Sequence, residues 1–234
     1  MQLSQRLEKL MSLAGSGLCA ADIGTDHGMV PIELVRRGAF DRAVASDVRK
    51  GPLAAASAHV RAAGLADRIE LRLGDGLKVL EPGEAEVILI SGMGGALMQR
   101  ILTEGEAAAK AAKRLVLSPQ SEIPEFRSFL QESGFRIAEE AIVYEDRKFY
   151  FLMTAEPGEQ EIWEGADRLY GKTLLEQGNE TLAAYARRRR SVLERILRNL
   201  EKTENDKAES RHKEAEEELR FTEEALERLE NIGQ

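Results

Sequence analysis

Short apolar runs alternate with amphipathic segments over the first 155 residues, and this alternation constrains the fold more than any other feature of the chain. Runs with the length and composition of buried strands occur at 18–24, 42–48, 68–75, 86–92, 114–118, 135–146 and 148–155. Segments with helical spacing precede the first run and separate most of the others. The pattern predicts a seven-stranded α/β fold whose mostly parallel sheet carries helices on both faces. Only a short turn joins the last two runs, which predicts a C-terminal antiparallel hairpin.

The strand and helix rhythm stops near "EPGEQE" (156–161), and the rest of the chain is helical in pattern. Apolar residues recur there at three- and four-residue spacing, first over 182–200 and again over 215–232. This spacing predicts two long helices that turn back on each other near Asn205 and Asp206. One continuous coiled coil that dimerises is the alternative. The predicted domains are 1–157 and 158–234, the second helical and coiled-coil-like.

Charge and cysteine content restrict the binding partners and the cellular compartment that we expect for such a chain. The net charge of −8 argues against indiscriminate nucleic-acid binding. The single cysteine, Cys19, excludes an intrachain disulfide or a cysteine metal cluster and fits a reducing compartment. Residues 1–14 have the pattern of an amphipathic helix, and no apolar run approaches the roughly 18 residues of a membrane span. We therefore expect a cytoplasmic protein with no metal and no membrane contact.

A basic cluster interrupts the acidic chain between residues 186 and 202. Its candidate polyanion-binding residues are Arg187, Arg188, Arg189, Arg190, Arg195 and Arg198. Four consecutive arginines circle a helix, so they cannot all face one partner. A solvated helix surface is the alternative interpretation.

The loop "DIGTDHG" (22–28) follows the first predicted strand and indicates a ligand site. Gly24 and Gly28 allow the backbone to approach a ligand closely, and a helix begins just beyond them. Asp22 and Asp26 would repel a pyrophosphate but attract an ammonium and a sulfonium group, which favours S-adenosylmethionine over a dinucleotide. We expect His27 to hold the loop or to contact the cofactor. The alternative for Asp22 is that it only caps a turn.

Acidic and glycine residues also follow the next three strands, where ligands bind in α/β sheets. Asp47, beside Val48, suits the two ribose hydroxyls, and Asp75, beside Gly76, suits the adenine amino group. "SGMGG" (91–95) ends the fourth strand, near the expected reacting atom, with Ser91 and Gly92 as cofactor contacts. Taken together, these strand ends resemble those of a class I methyltransferase.

Four motifs carry a closer resemblance: "ADIGTDHGMVPIEL", "DVRKGPLAAA", "LRLGDGL" and "ISGMGGALMQRIL". With the later "E…KFY" ending, they are similar to the TrmK family, bacterial enzymes that methylate N1 of adenine 22 in tRNA. The likeness covers about residues 1–155, and beyond them only the helical character agrees. It implies a Rossmann-like methyltransferase domain, S-adenosylmethionine as methyl donor and tRNA as substrate, with the basic cluster as a tRNA contact.

Within that resemblance, Asp26, Met93 and Gly94 are the candidate catalytic residues. Asp26 would stabilise the cationic product or take a proton, or else only orient the cofactor; Glu145 and Asp146 are weaker candidates. Met93 and the glycine amides would form a wall for the flipped base. Strand four lacks the Asn- or Asp-Pro-Pro-aromatic run of enzymes that methylate exocyclic amines, which favours a ring nitrogen.

Two other functions compete with this interpretation. One is a methyltransferase of the same fold that acts on a small molecule or a protein and uses the helical tail to oligomerise. The other is a non-catalytic coiled-coil adaptor with a degenerate cofactor domain, against which the acids at three successive strand ends argue. The oligomeric state stays open, with a monomer favoured.

Overall fold

The computed structural model describes residues 3–201 and 206–232. The chain divides into two compact units, Met1–Glu161 and Ile162–Gln234. The domain boundary predicted from the sequence, between 157 and 158, coincides with the end of the last strand, Lys148–Pro157.

A seven-stranded sheet forms the centre of the first unit. Its strands are β1 Gly17–Ile23, β2 Phe40–Asp47, β3 Ile69–Leu73, β4 Val87–Met93, β5 Arg114–Pro119, β6 Phe135–Glu145 and β7 Lys148–Pro157. They lie in the order β3-β2-β1-β4-β5-β7-β6, with β1 to β5 parallel and β7 antiparallel to both β5 and β6. The predicted Rossmann-like α/β sheet with its antiparallel hairpin is confirmed.

Helices cover this sheet: α1 Gln5–Ala14, α2 Met29–Arg36, α3 Lys50–Ala62, α4 Gly95–Glu104, α5 Glu106–Ala111 and α6 Ile123–Glu132. Helix α2 begins at Met29, two residues before Pro31, and Gly28, in a left-handed conformation, is its N-cap. Helix α5 and a 3₁₀ turn at Gly76–Val79 escaped the sequence analysis, since elements of this length show no full apolar period.

Apolar side chains are buried on both faces of the sheet. On one face, Leu10 and Leu13 of α1 join Leu34, Phe40 and Leu89 in a single cluster. The same face continues at β2, where side chains of α2, α3 and the strands pack together: Ile32, Val35, Ala43, Ala45, Val60 and Ile69. On the opposite face, Ile88 and Ile90 of β4 are buried as well. Because the central strands are covered on both sides, their sequences are continuously apolar rather than alternating.

The second unit is helical, with α7 Lys172–Glu176, α8 Glu180–Leu200 and α9 Asp206–Ile232. The side chain of Asn179 caps α8 by accepting a hydrogen bond from the Leu182 amide at 3.1 Å. Arg189, midway along α8, forms an ion pair with Glu218, midway along α9. A Cβ at Gly178, just before α8, would lie 2.6 Å from Ile232 at the end of α9, so the two helices pack antiparallel.

This arrangement confirms two helices that turn back on each other and contradicts one continuous helix, because α8 ends at Leu200. Asp206, at the predicted reversal, begins α9, whereas Asn205 lies outside the described residues. None of the helices in the described segments has the length and apolar character needed to span a membrane.

Candidate active site

A cavity of about 550 Å³ opens at the carboxyl ends of β1, β2, β3 and β4, within the first unit. Its volume lies in the range of sites for small ligands. The following sequence-predicted residues line it: Asp22, Gly24, Asp26, His27, Asp47, Val48, Asp75, Gly76, Ser91, Gly92 and Met93. Gly28 and Gly94 do not line the cavity and instead lie at the N-caps of α2 and α4. Residues far apart in sequence are thus brought together, because parallel strands end at one edge.

The loop after β1 is fixed to the neighbouring strand by its backbone. The amides of Gly24 and Thr25 both donate to the carbonyl of Ser46, each at 2.8 Å. Gly24 has a φ of +76°, and a Cβ at this position would collide with the side chain of Met93. Only glycine therefore fits here without moving a cavity residue.

Asp22 is the buried acid of this loop, with 5% of its surface exposed. Burial raises the pKa of its carboxyl to about 6, the nearby Thr25 hydroxyl lowers it, and the charge of Asp47 raises it further. A ligand with positive charge would favour the ionised form and relieve this penalty. The position is therefore better suited to a cation than to a phosphate.

Asp47 and Asp75 provide acidic groups at the ends of β2 and β3. Asp47 is buried, and its Oδ1 accepts a hydrogen bond from the Arg49 amide at 2.8 Å, which fixes the side-chain orientation. Asp75 is partly exposed and lies 3.4 Å from the guanidinium of Arg100 on α4. Both carboxylates face the cavity, where ligand hydroxyl or amino groups could donate to them.

The end of β4 is irregular where it borders the cavity. Its register against β5 shifts between Ser91 and Met93, and the intervening Gly92 has a φ of +79°. The amide of Gln120 donates to the Met93 carbonyl at 2.9 Å and holds the distorted segment. Bulges of this kind redirect side chains beside active sites, and here Met93 borders the cavity.

Asp26 and His27 are exposed at the mouth of the cavity, with His27 Nε2 3.5 Å from Asp26 Oδ2. Asp26 adopts a left-handed backbone conformation, with a φ of 52°. The ring of His59 on α3 holds this loop, because its Nδ1 lies 2.9 Å from the His27 carbonyl oxygen. Sequence reasoning missed the role of His59, since a histidine on a helical pattern carries no signal for such a contact.

Helices α1 and α4 contribute lining residues that sequence reasoning also missed: Arg6, Leu7, Leu97, Arg100 and Ile101. Arg6 and Leu7 lie on a helix that the apolar periodicity assigned to core packing alone. The weaker candidate Glu145 has a structural partner here, because its Oε1 accepts a hydrogen bond from the Gln5 amide at 2.7 Å. Asp146 lies in the turn between β6 and β7.

The candidate RNA-binding arginines belong to α8, in the second unit. At about 100° per residue, Arg187, Arg188, Arg195 and Arg198 fall within an arc of about 100° on the helix surface. All four are exposed, and none has a carboxylate partner among the described residues. Arg189 points elsewhere, to Glu218, and Arg190 Nε lies 3.7 Å from Glu194. One face of α8 thus carries four of the six predicted arginines.

Comparisons with known proteins agree with this geometry. A family model for TrmK, described as tRNA (adenine(22)-N(1))-methyltransferase, matches residues 20–224. The tRNA (adenine(22)-N(1))-methyltransferase of Bacillus subtilis strain 168 is 35% identical over 161 residues, which cover 69% of this chain and 68% of that protein.

Solved structures extend the likeness over almost the whole chain. The crystal structure of the B. subtilis m1A22 tRNA methyltransferase TrmK has a TM-score of 0.89 at 29% identity, covering 96% of this chain and 99% of that one. Streptococcus pneumoniae Sp1610, in complex with S-adenosyl-L-methionine, has a TM-score of 0.87 at 32% identity, covering 96% and 100%. The family and the activity predicted from the sequence are confirmed, and the chain belongs to the TrmK family of tRNA (adenine(22)-N(1))-methyltransferases.

Proposed function

We propose that the protein transfers a methyl group from S-adenosylmethionine to N1 of adenine 22 of tRNA, and that the cavity at the ends of β1 to β4 is the reaction site. The observation that carries the proposal is the meeting of Asp22, Asp47 and Asp75 at one cavity in a chain of the TrmK family. The same cavity is bordered by Met93 and by the exposed acid Asp26.

The donor set of the cavity fits a zwitterionic sulfonium ligand. Asp22 would attract its positive groups, Asp47 would accept hydrogen bonds from the ribose hydroxyls, and Asp75 would accept one from the adenine amino group. When bound, S-adenosylmethionine supplies an activated methyl group that a neutral ring nitrogen can accept directly. The residues of this chain therefore act mainly by positioning and by electrostatics.

Asp26 is the residue that we assign to the acceptor adenine. Methylation at N1 leaves a positive charge on the base, and a carboxylate at the cavity mouth stabilises this charge or takes a proton from the exocyclic amine. Met93, brought to the cavity by the bulge in β4, provides an apolar wall for the flipped base, with Gly94 next to it at the start of α4.

The exposed arginine face of α8 is the proposed contact to the tRNA backbone. Arg187, Arg188, Arg195 and Arg198 present guanidinium groups without carboxylate partners in the described part of the chain. Guanidinium groups bind phosphates bidentately and release counterions from the nucleic acid. We assign Arg189 to the packing of α8 on α9 instead, since Glu218 pairs with it.

We also propose that the chain acts as a monomer in the cytoplasm. The apolar stripes of α8 and α9 are buried within one chain, as Leu182, Leu193, Leu226 and Leu229 show, so these stripes need no second copy to cover them. Light scattering of the purified protein should give the mass of one chain. A stable dimer would contradict this part of the proposal.

Incubation with labelled S-adenosylmethionine and unmodified tRNA tests the function directly. We expect 1-methyladenosine after nuclease digestion, and its loss when the tRNA carries guanosine at position 22. An equal yield of 1-methyladenosine from both tRNAs would show that the enzyme methylates an adenine other than adenine 22. Absence of 1-methyladenosine from the adenosine-containing tRNA would contradict the reaction and favour a small-molecule or protein substrate.

A further inference from the structure

A short loop, residues 120–122, joins β5 to α6 beside the distorted end of β4. Two main-chain hydrogen bonds fix it there. The Gln120 amide donates to the Met93 carbonyl at 2.9 Å, and the Ser121 carbonyl accepts from the Gly95 amide at 3.1 Å. Because Met93 borders the cavity, the loop is held at the cavity rim. Since the main chain makes these bonds, replacing the Gln120 side chain leaves them intact.

The polar side chains of this loop differ in their partners. Glu122 Oε2 accepts hydrogen bonds from the Ala96 amide at 2.9 Å and from the Ser121 hydroxyl at 3.2 Å. Gln120 is exposed, and its side-chain amide has no hydrogen-bond partner among the described residues. Its Nε2 lies 4.0 Å from the point where a Cβ on Gly92 would stand, and Gly92 lines the cavity. Gln120 thus presents a free N–H donor and a free carbonyl acceptor beside the cavity.

The order of the strands indicates the side from which the acceptor base reaches the cavity. Asp22, Asp47 and Asp75, which we assign to the donor, follow β1, β2 and β3, and these strands all lie on one side of β4. Strand β5 lies on the other side of β4. Because the donor fills the first side, the base approaches from the second, across the end of β4. Gln120 directly follows β5 and lies on this approach.

Adenine matches the two free groups of a glutamine amide. On one edge its N7 is an acceptor and its exocyclic amine is a donor, and a glutamine can bind both at once. Guanine carries two acceptors on the same edge, O6 and N7, which the donor and the acceptor of one amide do not match. The contact leaves N1 free for the methyl group. It uses the amine hydrogen on the N7 side, so the hydrogen on the N1 side stays available to Asp26.

We propose that Gln120 binds the exocyclic amine and N7 of the acceptor adenine and so contributes to the choice of adenine over guanine. This inference rests on the proposed function, since it requires an adenine of tRNA as methyl acceptor. A purely structural role is the competing explanation for this side chain. The two main-chain hydrogen bonds argue against it, because they hold the loop without help from the Gln120 amide group.

Methylation of a tRNA with 7-deazaadenosine at position 22 tests the contact, because this base keeps N1 and the amine but lacks the N7 acceptor. We expect this replacement to lower kcat/KM of the wild type by about tenfold or more, in the range of a bidentate base contact. Gln120→Ala should lose at least as much with the adenosine-containing tRNA. It should also no longer favour adenosine over 7-deazaadenosine, since the two changes remove the same contact.

Two further variants sharpen the comparison. Gln99→Ala is the matched control, because Gln99 lies on α4 but does not line the cavity, and it should keep the wild-type preference for adenosine. Gln120→Glu keeps an acceptor for the amine but has no donor for N7, so it should keep part of the rate without the preference. In calorimetry, each variant should bind S-adenosylhomocysteine within about threefold of the wild type, a change well below the loss of one charge-assisted hydrogen bond.

Three outcomes would overturn the proposal. A preference for adenosine that persists in Gln120→Ala would show that another group binds N7. A wild-type enzyme that methylates both tRNAs equally well would show that N7 is not bound. A parallel loss of kcat/KM and of S-adenosylhomocysteine affinity in Gln120→Ala would show that the side chain supports the donor site structurally.

The wild-type reaction separates this proposal from the function on which it rests. If the wild-type protein forms no 1-methyladenosine in the adenosine-containing tRNA, the proposed function is wrong and the role of Gln120 falls with it. If the wild-type protein forms 1-methyladenosine and Gln120→Ala forms it with the same kcat/KM, the function stands and only the role of Gln120 is overturned.

Discussion

Asp22 and Asp47 are buried carboxylates at the ends of the neighbouring parallel strands β1 and β2, and the charge of Asp47 adds to burial in raising the pKa of Asp22 to about 6. The free protein therefore holds an acid that is costly to ionise at neutral pH. A cationic ligand offsets this cost, so the same two residues that destabilise the empty cavity favour the bound donor.

The pKa of Asp22 predicts how stability depends on pH. The carboxyl has an ordinary pKa of 3.8 when unfolded and about 6 when folded, so stability falls as pH rises through this window. Above pH 6 the penalty is fully present, at about 3 kcal/mol. In urea unfolding, we expect Asp22→Asn to be more stable than the wild type at pH 8, and this stability difference should be much smaller at pH 4. An equal stability difference at both pH values would show that it does not come from ionisation of Asp22.

We expect Gly24 to be required for stability, because of its positive φ, and for cofactor binding, because the Met93 side chain occupies the space that a Cβ would need. Gly24→Ala and Gly38→Ala both place a side chain at positive φ, which costs about 1 kcal/mol, but Gly38 has open space around it. We expect both variants to lose stability in thermal unfolding. Only Gly24→Ala should weaken S-adenosylhomocysteine binding, by about tenfold or more in calorimetry. Equal affinities of the two variants for S-adenosylhomocysteine would show that the Met93 side chain moves to make room for the added Cβ without disturbing the cavity.

Asp26 should affect turnover more than cofactor binding. We expect Asp26→Asn to lower kcat on tRNA by about a hundredfold, in the range of a lost acid–base group, while S-adenosylhomocysteine affinity changes by less than about threefold. Asp67→Asn is the matched control, since Asp67 is also an exposed acid of the first unit but does not line the cavity, and it should retain wild-type kcat. A parallel loss of kcat and cofactor affinity in Asp26→Asn would reassign this residue to the donor.

The arginine face of α8 should determine the salt dependence of tRNA binding. We expect the double variant Arg187→Gln/Arg198→Gln to bind tRNA about tenfold more weakly in filter binding. Its slope of log affinity against log salt should shrink by about 0.9 for each lost phosphate contact. Cofactor affinity should not change.

A control for total charge comes from α9. Arg211 and Arg220 are exposed arginines of the same unit that lie near acidic neighbours, Glu214 and Glu217. Arg211→Gln/Arg220→Gln removes the same net charge and should leave tRNA affinity within about twofold of the wild type. Similar losses for the two double variants would point to overall charge rather than to this face of α8.

Much of the fold could be predicted because the local pattern and the tertiary environment agree. Strands such as Val87–Met93 are continuously apolar because helices cover both faces of the sheet, and this burial is visible in the sequence. The acids Asp22, Asp47 and Asp75 could be predicted as site residues for a related reason: each follows a strand, and parallel strands end at one edge. These inferences need only periodicity and topology.

The residues that were missed depend on contacts between distant segments. Arg6 lies on a helix whose apolar spacing indicates only core packing, and its approach to the cavity follows from how α1 packs beside β6 and β7. Likewise, nothing in the pattern around His59 reveals that it holds the carbonyl of His27. Side-chain direction across an element boundary is decided by packing, which the local sequence does not encode.

The sequence by itself determined the order of strands and helices, the family and the acidic character of the donor site, because these follow from periodicity and from residues at strand ends. Tertiary structure alone decided which charges stay unneutralised. Arg189 and Arg100 face acids, whereas Arg6 and the arginine face of α8 have no carboxylate partner in the described residues. Ion pairing depends on distances of a few ångströms between side chains that are remote in sequence, and only the folded chain sets those distances.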